Sequence, residues 1–374
     1  MVRAQRVRPC AVGTSILPGP FPVDRIRKGL ARIVDERTAL VTGGAGYIGS
    51  HVAWALLDAG WRVIVLDDLS TGRRELVPPA ATFVEGGSGD AALLRGVLAA
   101  ERRIEAVLHF AGSIVVPESV VDPLAYYRNN VVGSIELIDA CLAAGVKRFV
   151  FSSTAAVYGD PDQVPIPEHA PTRPLNPYGH SKLMIEQVLK DCDHAHRLPH
   201  VALRYFNVAG ADPGGRTGQA TPKATHLIKV ACEVAVGARE AMEIYGTDYP
   251  TPDGTCVRDY IHVSDLADAH VKALEHLMAG GSSLTLNCGY GHGFSVREVL
   301  RMVEQVAGRP LAVREGPRRA GDSPRLVAEP GALRERFSWN PRHDDLRTIV
   351  TTALAWERRR VGAERGAGRT AALS

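Results

Sequence analysis

A tyrosine and a lysine four residues apart are the side chains of this sequence best suited to acid–base chemistry. Tyr178 and Lys182 stand in the segment Tyr-Gly-His-Ser-Lys, and residues four apart lie on one face of a helix. A free tyrosine has a pKa near ~10, so it is a poor base at neutral pH unless a nearby positive charge favours the phenolate. The lysine ammonium supplies such a charge. The pair therefore predicts a group that removes the proton of a substrate hydroxyl.

A cluster of hydroxyl side chains precedes this pair along the chain. Ser152, Ser153 and Thr154 stand at the carboxyl end of a predicted strand, where active-site groups gather in open α/β sheets. We expect Thr154 to hold the reacting hydroxyl in line with Tyr178. A structural alternative exists for each motif, because the hydroxyls could satisfy local backbone groups and Tyr/Lys pairs also occur on solvated helix surfaces. The presence of both motifs in one chain favours a catalytic site.

A glycine-rich turn lies upstream of both motifs. Residues 42–49 read Thr-Gly-Gly-Ala-Gly-Tyr-Ile-Gly, and glycine lets the backbone approach a pyrophosphate without a Cβ in the way. The motif alone also fits a plain turn. Here a predicted strand precedes it, a predicted helix follows, and Asp67 ends the next strand at the expected distance of roughly 20 residues. Asp67 can bond ribose hydroxyls and would repel a 2′-phosphate, so NAD is favoured over NADP, although Arg73 and Arg74 lie nearby.

The elements that must position these residues alternate regularly from Thr38 onward. Short apolar runs are separated by segments of helical period, which is typical of a parallel α/β sheet. The predicted strands are Ala39–Thr42, Val63–Asp67, Ala106–Phe110, Arg148–Ser152 and Val201–Tyr205. The predicted helices lie near Gly49–Ala59, Ala91–Ala100, Leu124–Ala144 and Tyr178–Cys192. The fold class is therefore predicted to be α/β, with a Rossmann-type doubly wound parallel sheet and a smaller C-terminal substrate-binding lobe.

The chain divides into three predicted segments. Residues 1–37 are arginine-rich and lack periodicity, which predicts a disordered extension. Residues 38–210 form the predicted NAD-binding Rossmann domain, and residues 211–374 form mainly the substrate-binding lobe, with some segments returning to the first domain. A Gly/Pro-rich loop over 212–222 opens the lobe, and loops of that length are often functional. Further helices are predicted near Val263–Met278 and Val296–Ala307.

Composition restricts the classes of partner. The 374 residues are 45% hydrophobic and 23% charged, with a formal net charge of +3, and no basic block interleaved with aromatics indicates nucleic acid. No apolar run approaches the roughly 18–20 residues of a membrane span. The six cysteines are scattered, which predicts reduced thiols in a cytoplasmic compartment, and no residues have metal-site spacing. His194 and His196 are expected on the surface.

The order of the motifs resembles that of the UDP-glucose 4-epimerases, a group of the extended short-chain dehydrogenase/reductase family. The resemblance runs from about Thr38 to about Trp356. It is carried by TGGAGYIG, LDDL, HFAG, YYRNN, SSTAAVYG, YGHSK, LRYFN, YPTPDGTCVRDYIHV and RRAGD. The resemblance implies tightly bound NAD, a UDP-sugar substrate and a homodimer, with no nucleic acid or membrane partner.

The resemblance also assigns roles to individual residues. Tyr178 would be the general base and acid, Lys182 its electrostatic partner, and Thr154 the hydroxyl that orients the substrate. The implied cofactor site comprises Gly43, Gly46, Tyr47, Ile48, Gly49, Asp67, Asp68, Leu69, Ser70, Thr71, Gly72, Gly87, Ser88, Phe110, Ala111, Gly112, Asn129, Thr154, Tyr178, Lys182 and Phe206. The implied substrate site comprises Thr154, Tyr178, Asn207, His226, Leu227, Tyr245, Arg258, Arg319, Asp322 and Leu326. Phe206 would lie beside the nicotinamide, and the two arginines suit fork-shaped bonds to phosphate oxygens.

Three positions depart from the pattern of the group. Gly87 stands where an acidic residue often binds the adenine amino group, so adenine recognition is expected to use backbone, Ser88 or Asp90. Ile114 replaces a lysine often found after HFAG, which removes a positive charge near the cofactor. His226 replaces an asparagine in the uridine contact region. None of the three is a member of the predicted catalytic trio.

The residues that follow Thr154 favour epimerisation over related reactions. A dehydratase needs an extra acid and base to eliminate water, and Ala155 and Ala156 cannot move protons. The preferred hypothesis is interconversion of UDP-galactose and UDP-glucose through a transient 4-keto intermediate. A 4-epimerase of another UDP-sugar (an N-acetylhexosamine, a pentose or glucuronate) stays open. The resemblance implies that Leu326 helps to set tolerance of an N-acetyl group, and this leucine is neither small nor aromatic. A remote alternative is a non-catalytic NAD-sensing binding protein.

Overall fold

The computed structural model describes residues 37–101, 103–222, 224–319 and 321–371, with side chains described up to residue 363. The extension predicted for residues 1–37 lies outside the described residues, apart from Arg37.

The strands of the described chain assemble into one large sheet and three small ones. They are β1 (Thr38–Thr42), β2 (Arg62–Asp67), β3 (Thr82–Glu85), β4 (Ile104–His109), β5 (Phe149–Thr154), β6 (His200–Tyr205), β7 (Asn207–Ala209), β8 (Met242–Tyr245), β9 (Val257–Arg258), β10 (Tyr260–His262), β11 (Leu284–Cys288), β12 (Phe294–Ser295), β13 (Val313–Gly316) and β14 (Arg325–Leu326). The large sheet has the order β11-β6-β5-β4-β1-β2-β3 and all of its neighbours pair in parallel. This contains the 3-2-1-4-5-6 order of a Rossmann fold, so the predicted fold class is confirmed.

The helices connect these strands and cover both faces of the large sheet. They are α1 (Tyr47–Asp58), α2 (Ala91–Ala100), α3 (Val116–Val121), α4 (Pro123–Tyr126), α5 (Gly133–Ala144), α6 (Pro177–His196), α7 (Leu227–Ala235), α8 (Val263–Met278), α9 (Val296–Ala307), α10 (Gly331–Phe337) and α11 (Leu346–Ala371), with a π-helical turn over Tyr127–Val132 and 3-10 turns over Arg74–Leu76 and Ala155–Val157. The helices predicted near Ala91–Ala100, Val263–Met278 and Val296–Ala307 have these same bounds. The single helix predicted over Leu124–Ala144 is interrupted by the π-helical turn.

The central strands are buried on both faces because their apolar residues alternate between two cores. Ala39 and Val41 of β1 pack in one hydrophobic cluster, whereas Leu40 packs in the other. Successive side chains of a strand point to opposite faces, and strands covered by helices on both sides therefore read as continuous apolar runs. This explains why β1, β2, β4, β5 and β6 were predictable from the sequence.

Two strands of the large sheet escaped sequence prediction. β3 is short and only partly buried, so its apolar signal is weak. β11 comes late in the chain, yet it pairs with β6 at the edge of the sheet. The helix that precedes β11 in the sequence, α8, packs against α1. Elements from beyond residue 210 thus complete the large sheet of the predicted NAD-binding domain. The small sheets pair β7 with β10, β8 with β13, and β9 with both β12 and β14.

None of the helices in the described part of the chain is long and apolar enough to cross a membrane.

Several histidines lie in the interior as neutral rings. His51, His109, His262 and His270 are at most 4% exposed. Each is hydrogen-bonded, as shown by His109, whose ring nitrogens contact Thr42 Oγ1 at 2.6 Å and Ser134 Oγ at 2.8 Å. Burial lowers the pKa of His51 and of His270 to about 4. It lowers the pKa of His109 and of His262 to about 3.

The lowered pKa values of these buried histidines predict that the protein loses stability in mild acid. Below their ordinary pKa of 6.5 the unfolded state binds protons that the folded state does not bind. The free energy of unfolding therefore falls by about 1.4 kcal/mol per pH unit for each such proton. The loss begins near the ordinary pKa and continues towards each folded value. Burial raises the pKa of Asp259 to about 6, so its folded form binds a proton before its unfolded form does. This stabilises the folded state as the pH falls, but it involves one proton, whereas the four histidines involve four. We expect the urea midpoint to fall between about pH 7 and about pH 5.

The measurement is urea unfolding followed by circular dichroism across that range. Substitution His270→Phe should flatten the pH dependence, and the exposed His196→Gln serves as the surface control. An identical midpoint at both ends of the range would contradict the neutral-histidine interpretation.

Candidate active site

Thr154 lies where β5 ends and the polypeptide turns into the short 3-10 turn over Ala155–Val157. Its Oγ1 accepts a hydrogen bond from the Ala156 amide at 3.2 Å, so it does cap the local backbone. The same side chain is also hydrogen-bonded to Tyr178. The local structural role and the predicted contact with Tyr178 therefore coexist.

The start of α6 fixes Tyr178 and Lys182. Asn176 caps this helix by accepting from the Gly179 amide at 2.9 Å, and Pro177 occupies its first turn. Tyr178 is 9% exposed and Lys182 is 2% exposed, so the pair is not a solvated surface pair. Burial raises the pKa of Tyr178, and the hydrogen bond with Thr154 opposes that increase.

Lys182 is tied to the strand that carries Thr154. Its Nζ donates to the Ser152 carbonyl oxygen at 2.9 Å and lies 4.9 Å from the centre of the Phe151 ring. Burial lowers the pKa of Lys182 to about 8. A Cβ placed on Gly112 would lie 3.8 Å from Nζ, so the end of the Phe110–Gly112 segment borders the lysine.

The glycine turn has the shape of a pyrophosphate cradle. A Cβ on Gly43, which has φ +69°, would lie 2.6 Å from the Ala111 nitrogen, and one on Gly49 would lie 2.2 Å from the Gly43 oxygen. Helix α1 begins at Tyr47 after Gly46, and no side chain caps its amino end. Its unpaired amides and partial positive charge are therefore available to an anion, which fits the diphosphate of NAD.

Asp67 secures the cradle from the end of β2. Its Oδ2 accepts from the Ala45 amide at 2.9 Å and its Oδ1 accepts from the Leu69 amide at 2.9 Å. Each carboxylate oxygen keeps a second lone pair for a ribose hydroxyl. Gly72 packs so closely that a Cβ would lie 2.7 Å from Asp67 Oδ1. Residues Asp68, Ser70 and Thr71 form the exposed rim of this turn.

The region predicted to contact adenine is open. A Cβ on Gly87 would meet no atom within 4 Å, and Ser88 is half-buried beside it. The Asp90 carboxylate accepts from the Ala92 and Leu93 amides, both at 3.0 Å, and so caps α2. Recognition of adenine by Ser88 or Asp90 stays a prediction.

The two asparagines of the YYRNN segment have different environments. Asn129 is exposed, and its Nδ2 donates to Ser113 Oγ at 2.9 Å. Asn130 is 1% exposed, accepts from the Ser113 amide at 2.7 Å and donates to Ser181 Oγ at 3.0 Å. Asn130 was missed by sequence reasoning, because only the phase of the π-helical turn decides which of two identical neighbours points inward.

Five predicted substrate residues come together on β8, β9, β14 and the segment between β13 and β14. Asp322 lies 3.9 Å from Arg258 Nη2 and accepts from Arg319 Nε at 2.9 Å. The Arg319 guanidinium carbon lies 4.8 Å from the centre of the Tyr245 ring. Leu326 stands opposite Arg258 in the β14–β9 pair.

The remaining predicted substrate residues line one cavity between β7 and α7. Asn207, His226 and Leu227 share its wall with Gln219, whose Nε2 lies 2.9 Å from His226 Nδ1. Burial lowers the pKa of His226, so the amide donates to a neutral ring. Gln219 was not predicted individually, although it lies in the loop over 212–222 that was predicted to be functional.

Asp259 joins the two groups of substrate residues. Its carboxylate is fully buried and accepts three backbone amides at 3.0–3.2 Å. Its own backbone accepts from the Asn207 amide at 2.9 Å and donates to the Leu326 oxygen at 3.0 Å. The three amides belong to Tyr290, Gly291 and Ala328. Asp259 was also missed, because its carboxylate acts on backbone groups that are distant in sequence.

Four further residues of the predicted cofactor site are aromatic or apolar. Phe206 is buried in a cluster with Ala155 and Tyr158, against which Leu326 packs. Tyr47 Oη donates to the Gly210 oxygen at 2.7 Å, and Phe110 packs on His270 with ring centres 4.9 Å apart. Ile48 is half-buried beside them. His194 and His196 are exposed, as predicted.

Comparison with known proteins gives a consistent result. The sequence profile of the NAD dependent epimerase/dehydratase family matches residues 39–289. A UDP-glucose 4-epimerase of Azospirillum brasilense is 63% identical over 319 residues, which is 85% of this chain and 91% of that protein. The crystal structure of a Brucella ovis UDP-glucose 4-epimerase in complex with NAD is 46% identical, with a TM-score of 0.82 over 85% of this chain and 98% of that one. A Bifidobacterium longum UDP-glucose 4-epimerase in complex with NAD+ and UDP is 38% identical, with a TM-score of 0.82 over 86% and 98%.

The Rossmann sheet, the glycine cradle and the buried Tyr/Lys pair define an NAD-dependent sugar-nucleotide enzyme of the short-chain dehydrogenase/reductase type. The chain belongs to the NAD dependent epimerase/dehydratase family and, within it, to the UDP-glucose 4-epimerases.

Substitution Gly49→Ala tests the cradle. The added Cβ would lie 2.2 Å from the Gly43 oxygen, so the turn must open and the approach of the pyrophosphate is lost. We expect the purified variant to retain less NAD, by about tenfold or more in binding constant, as measured by absorbance and titration calorimetry. Gly96→Ala is the matched control, because its Cβ meets no atom within 4 Å. Equal NAD retention in both variants would contradict the assignment of the cradle.

Proposed function

We infer that this protein is a UDP-glucose 4-epimerase that interconverts UDP-galactose and UDP-glucose through a transient 4-keto intermediate. The observation that carries this inference is the buried set of Thr154, Tyr178 and Lys182 beside the glycine cradle, in a chain 63% identical to a UDP-glucose 4-epimerase. The crystallised relatives with NAD and with UDP support the same cofactor and substrate class.

Tyr178 is proposed to move the proton of the sugar 4-hydroxyl. The Thr154 hydroxyl is bonded to Tyr178, so a substrate hydroxyl held by Thr154 lies in reach of the phenol oxygen. Tyr178 takes the proton as the carbinol is oxidised and returns it as the ketone is reduced. Because burial alone raises the pKa of Tyr178, the phenolate needs positive charge nearby.

Lys182 is proposed to supply part of that charge. Its pKa of about 8 keeps the ammonium largely protonated at neutral pH, and its bond to the Ser152 carbonyl at 2.9 Å keeps it on the β5 side of α6. Bound NAD⁺ supplies the hydride acceptor, and its reduced form the hydride donor. Gly43, Gly46 and Gly49 with Asp67 are proposed to hold its diphosphate and ribose.

The second group of residues is proposed to hold the uridine diphosphate. Arg258 and Arg319 offer guanidinium forks to phosphate oxygens, and Asp322 holds both in place. The exposed face of Tyr245 can stack on the base. Ala155 and Ala156 bring no acid or base to the sugar, so oxidation and return of the hydride to the opposite face are favoured over elimination.

Substitution Tyr178→Phe tests the reaction. The ring and its packing are retained while proton transfer is lost, so kcat should fall by about 10²- to 10⁴-fold with little change in KM. The assay converts UDP-galactose and couples the UDP-glucose formed to a dehydrogenase. UDP-N-acetylgalactosamine, UDP-xylose and UDP-glucuronate are tested beside it, and faster turnover of one of these would reassign the substrate. No turnover by the NAD-loaded wild type would favour the NAD-sensing alternative.

We also propose that the protein is a homodimer. Among the described residues, ten of the twelve exposed large hydrophobic side chains fall between Ile114 and Met184. Val132, Ile135 and Met184 are 52%, 43% and 45% exposed on the adjacent helices α5 and α6 and the π-helical turn. Contiguous exposed apolar surface marks an interface, and a two-fold dimer is the commonest closed assembly.

Substitution Ile135→Glu tests the dimer. A carboxylate in a shared apolar face loses its hydration on association, so the variant should sediment as a monomer at concentrations where the wild type is a dimer. Val313→Glu is the matched control, because Val313 is a 36% exposed valine outside this face. A wild type that sediments as a monomer refutes the proposal.

A cytoplasmic location belongs to the same proposal. It is supported by the free thiols of Cys141, Cys192, Cys232, Cys256 and Cys288 among the described residues, since such thiols persist in reducing compartments.

A further inference from the structure

A buried ion pair lies directly beneath the turn that carries Thr154. Arg204 of β6 binds Glu186 of α6 through two bonds, from Nη2 to Oε2 at 2.6 Å and from Nε to Oε1 at 2.9 Å. The side chains are 8% and 7% exposed. A buried pair contributes little net stability, because desolvation of both charges offsets their attraction. The main effect of this ion pair is therefore to fix the positions of the groups that it contacts.

The ion pair is hydrogen-bonded to both ends of the turn that follows β5. Ser153, the residue before Thr154, donates its hydroxyl to the Glu186 carboxylate. Tyr158, the residue after the 3-10 turn, accepts from Arg204 Nη1 at 3.0 Å. The turn is thus fixed at its two ends to one rigid, bidentate unit.

One member of the pair, Glu186, belongs to the helix that carries the predicted base. Glu186 lies one helical turn after Lys182 and two turns after Tyr178 on α6. Bonds from Glu186 to Ser153 therefore set the position of α6 relative to the end of β5. The distance between the Tyr178 phenol and the Thr154 hydroxyl depends directly on that position.

The contacts continue towards the predicted substrate lobe. Tyr158 Oη donates to Asn287 Oδ1 at 2.7 Å, and Asn287 Nδ2 donates to the Ile166 oxygen at 2.8 Å. Ile166 bridges to Ala328, two residues after Leu326. The ion pair is therefore joined to both sides of the cleft.

We propose that Glu186 and Arg204 are positioning residues that hold the Thr154 hydroxyl against the Tyr178 phenol, an inference that rests on the function proposed above. Neither side chain touches the reacting atoms. Because the Thr154 bond lowers the pKa of Tyr178 against the effect of burial, loosening the turn should raise that pKa. Activity that requires the phenolate then appears only at higher pH.

Few other groups can move this titration. Among the described residues, Lys182 lies one turn after Tyr178 on the same helix, and Tyr126 of α4 and Tyr205 of β6 interact with Tyr178 electrostatically. Burial raises the pKa of Tyr126 to about 12 and also raises the pKa of Tyr205, so both stay neutral in the working range. A shift in the acid limb of the rate profile therefore reports on the Thr154 bond or on Lys182.

The test uses the full-length, NAD-loaded protein and its E186Q, Ser153→Ala and Tyr158→Phe variants. Ser153→Ala and Tyr158→Phe each release one end of the turn and leave the ion pair intact. These two variants therefore test the proposal even if E186Q fails to fold. We expect kcat to fall by about tenfold to a hundredfold, as for a small misplacement of a reacting group, with KM unchanged and the acid limb moved to higher pH. The partly buried pair of Arg62, at the start of β2, and Glu101 lies outside the candidate site and gives the control E101Q, whose acid limb should stay in place.

A double substitution separates positioning from general loosening of the fold. If Ser153 and Glu186 act through Thr154, then adding S153A to T154V costs no further activity. The proposal would be overturned if the double variant lost activity by the product of the two single losses. It would also be overturned if the variants lowered Tm while the acid limb of the rate profile stayed unmoved. The phenolate absorbance of Tyr178, taken against each variant's Y178F counterpart, measures the same pKa without turnover. Failure of the wild type to convert UDP-galactose would overturn the proposed function, whereas an unmoved Tyr178 titration would overturn the positioning role alone.

Discussion

The contact between Tyr178 and Thr154 is the constraint on which the rest of the site depends. The phenol belongs to the first turn of α6 and the hydroxyl to the last residue of β5, so the contact exists only if helix and strand are held in one register. Burial makes the phenolate harder to form. The surrounding groups, including Lys182 and the ion pair between Glu186 and Arg204, are understandable as means of keeping that geometry and supplying compensating charge.

The substrate half relies on a second buried charge. Asp259 collects three backbone amides and spaces Asn207 from Leu326, so one carboxylate holds both groups of substrate residues. Its pKa is raised to about 6 by burial, which indicates that its hydrogen bonds only partly replace lost hydration. In both halves, fixed buried charges hold the neutral or exposed groups that are proposed to face the ligand.

The cofactor half shows how the departures from the group pattern are accommodated. Gly87 faces open space, and Asp90 is already engaged in capping α2. The cradle itself, by contrast, is set by steric limits at Gly43 and Gly49 that do not depend on the adenine end. The proposed diphosphate cradle and the predicted adenine region therefore depend on different residues of this chain.

Sequence alone predicted five strands of the large sheet, the glycine turn and the proposed catalytic trio, because each depends on local patterns: continuous apolar runs in strands such as β1, glycine spacing at residues 43–49, and helical spacing between Tyr178 and Lys182. It could not choose between Asn129 and Asn130, whose exposure is set by the phase of a π-helical turn. Nor could it identify β11 as a sheet neighbour of β6, or Glu186, Arg204 and Asp259 as residues that organise the site. Their partners lie far away along the chain, and only tertiary packing brings a buried charge and its distant hydrogen-bond donors together.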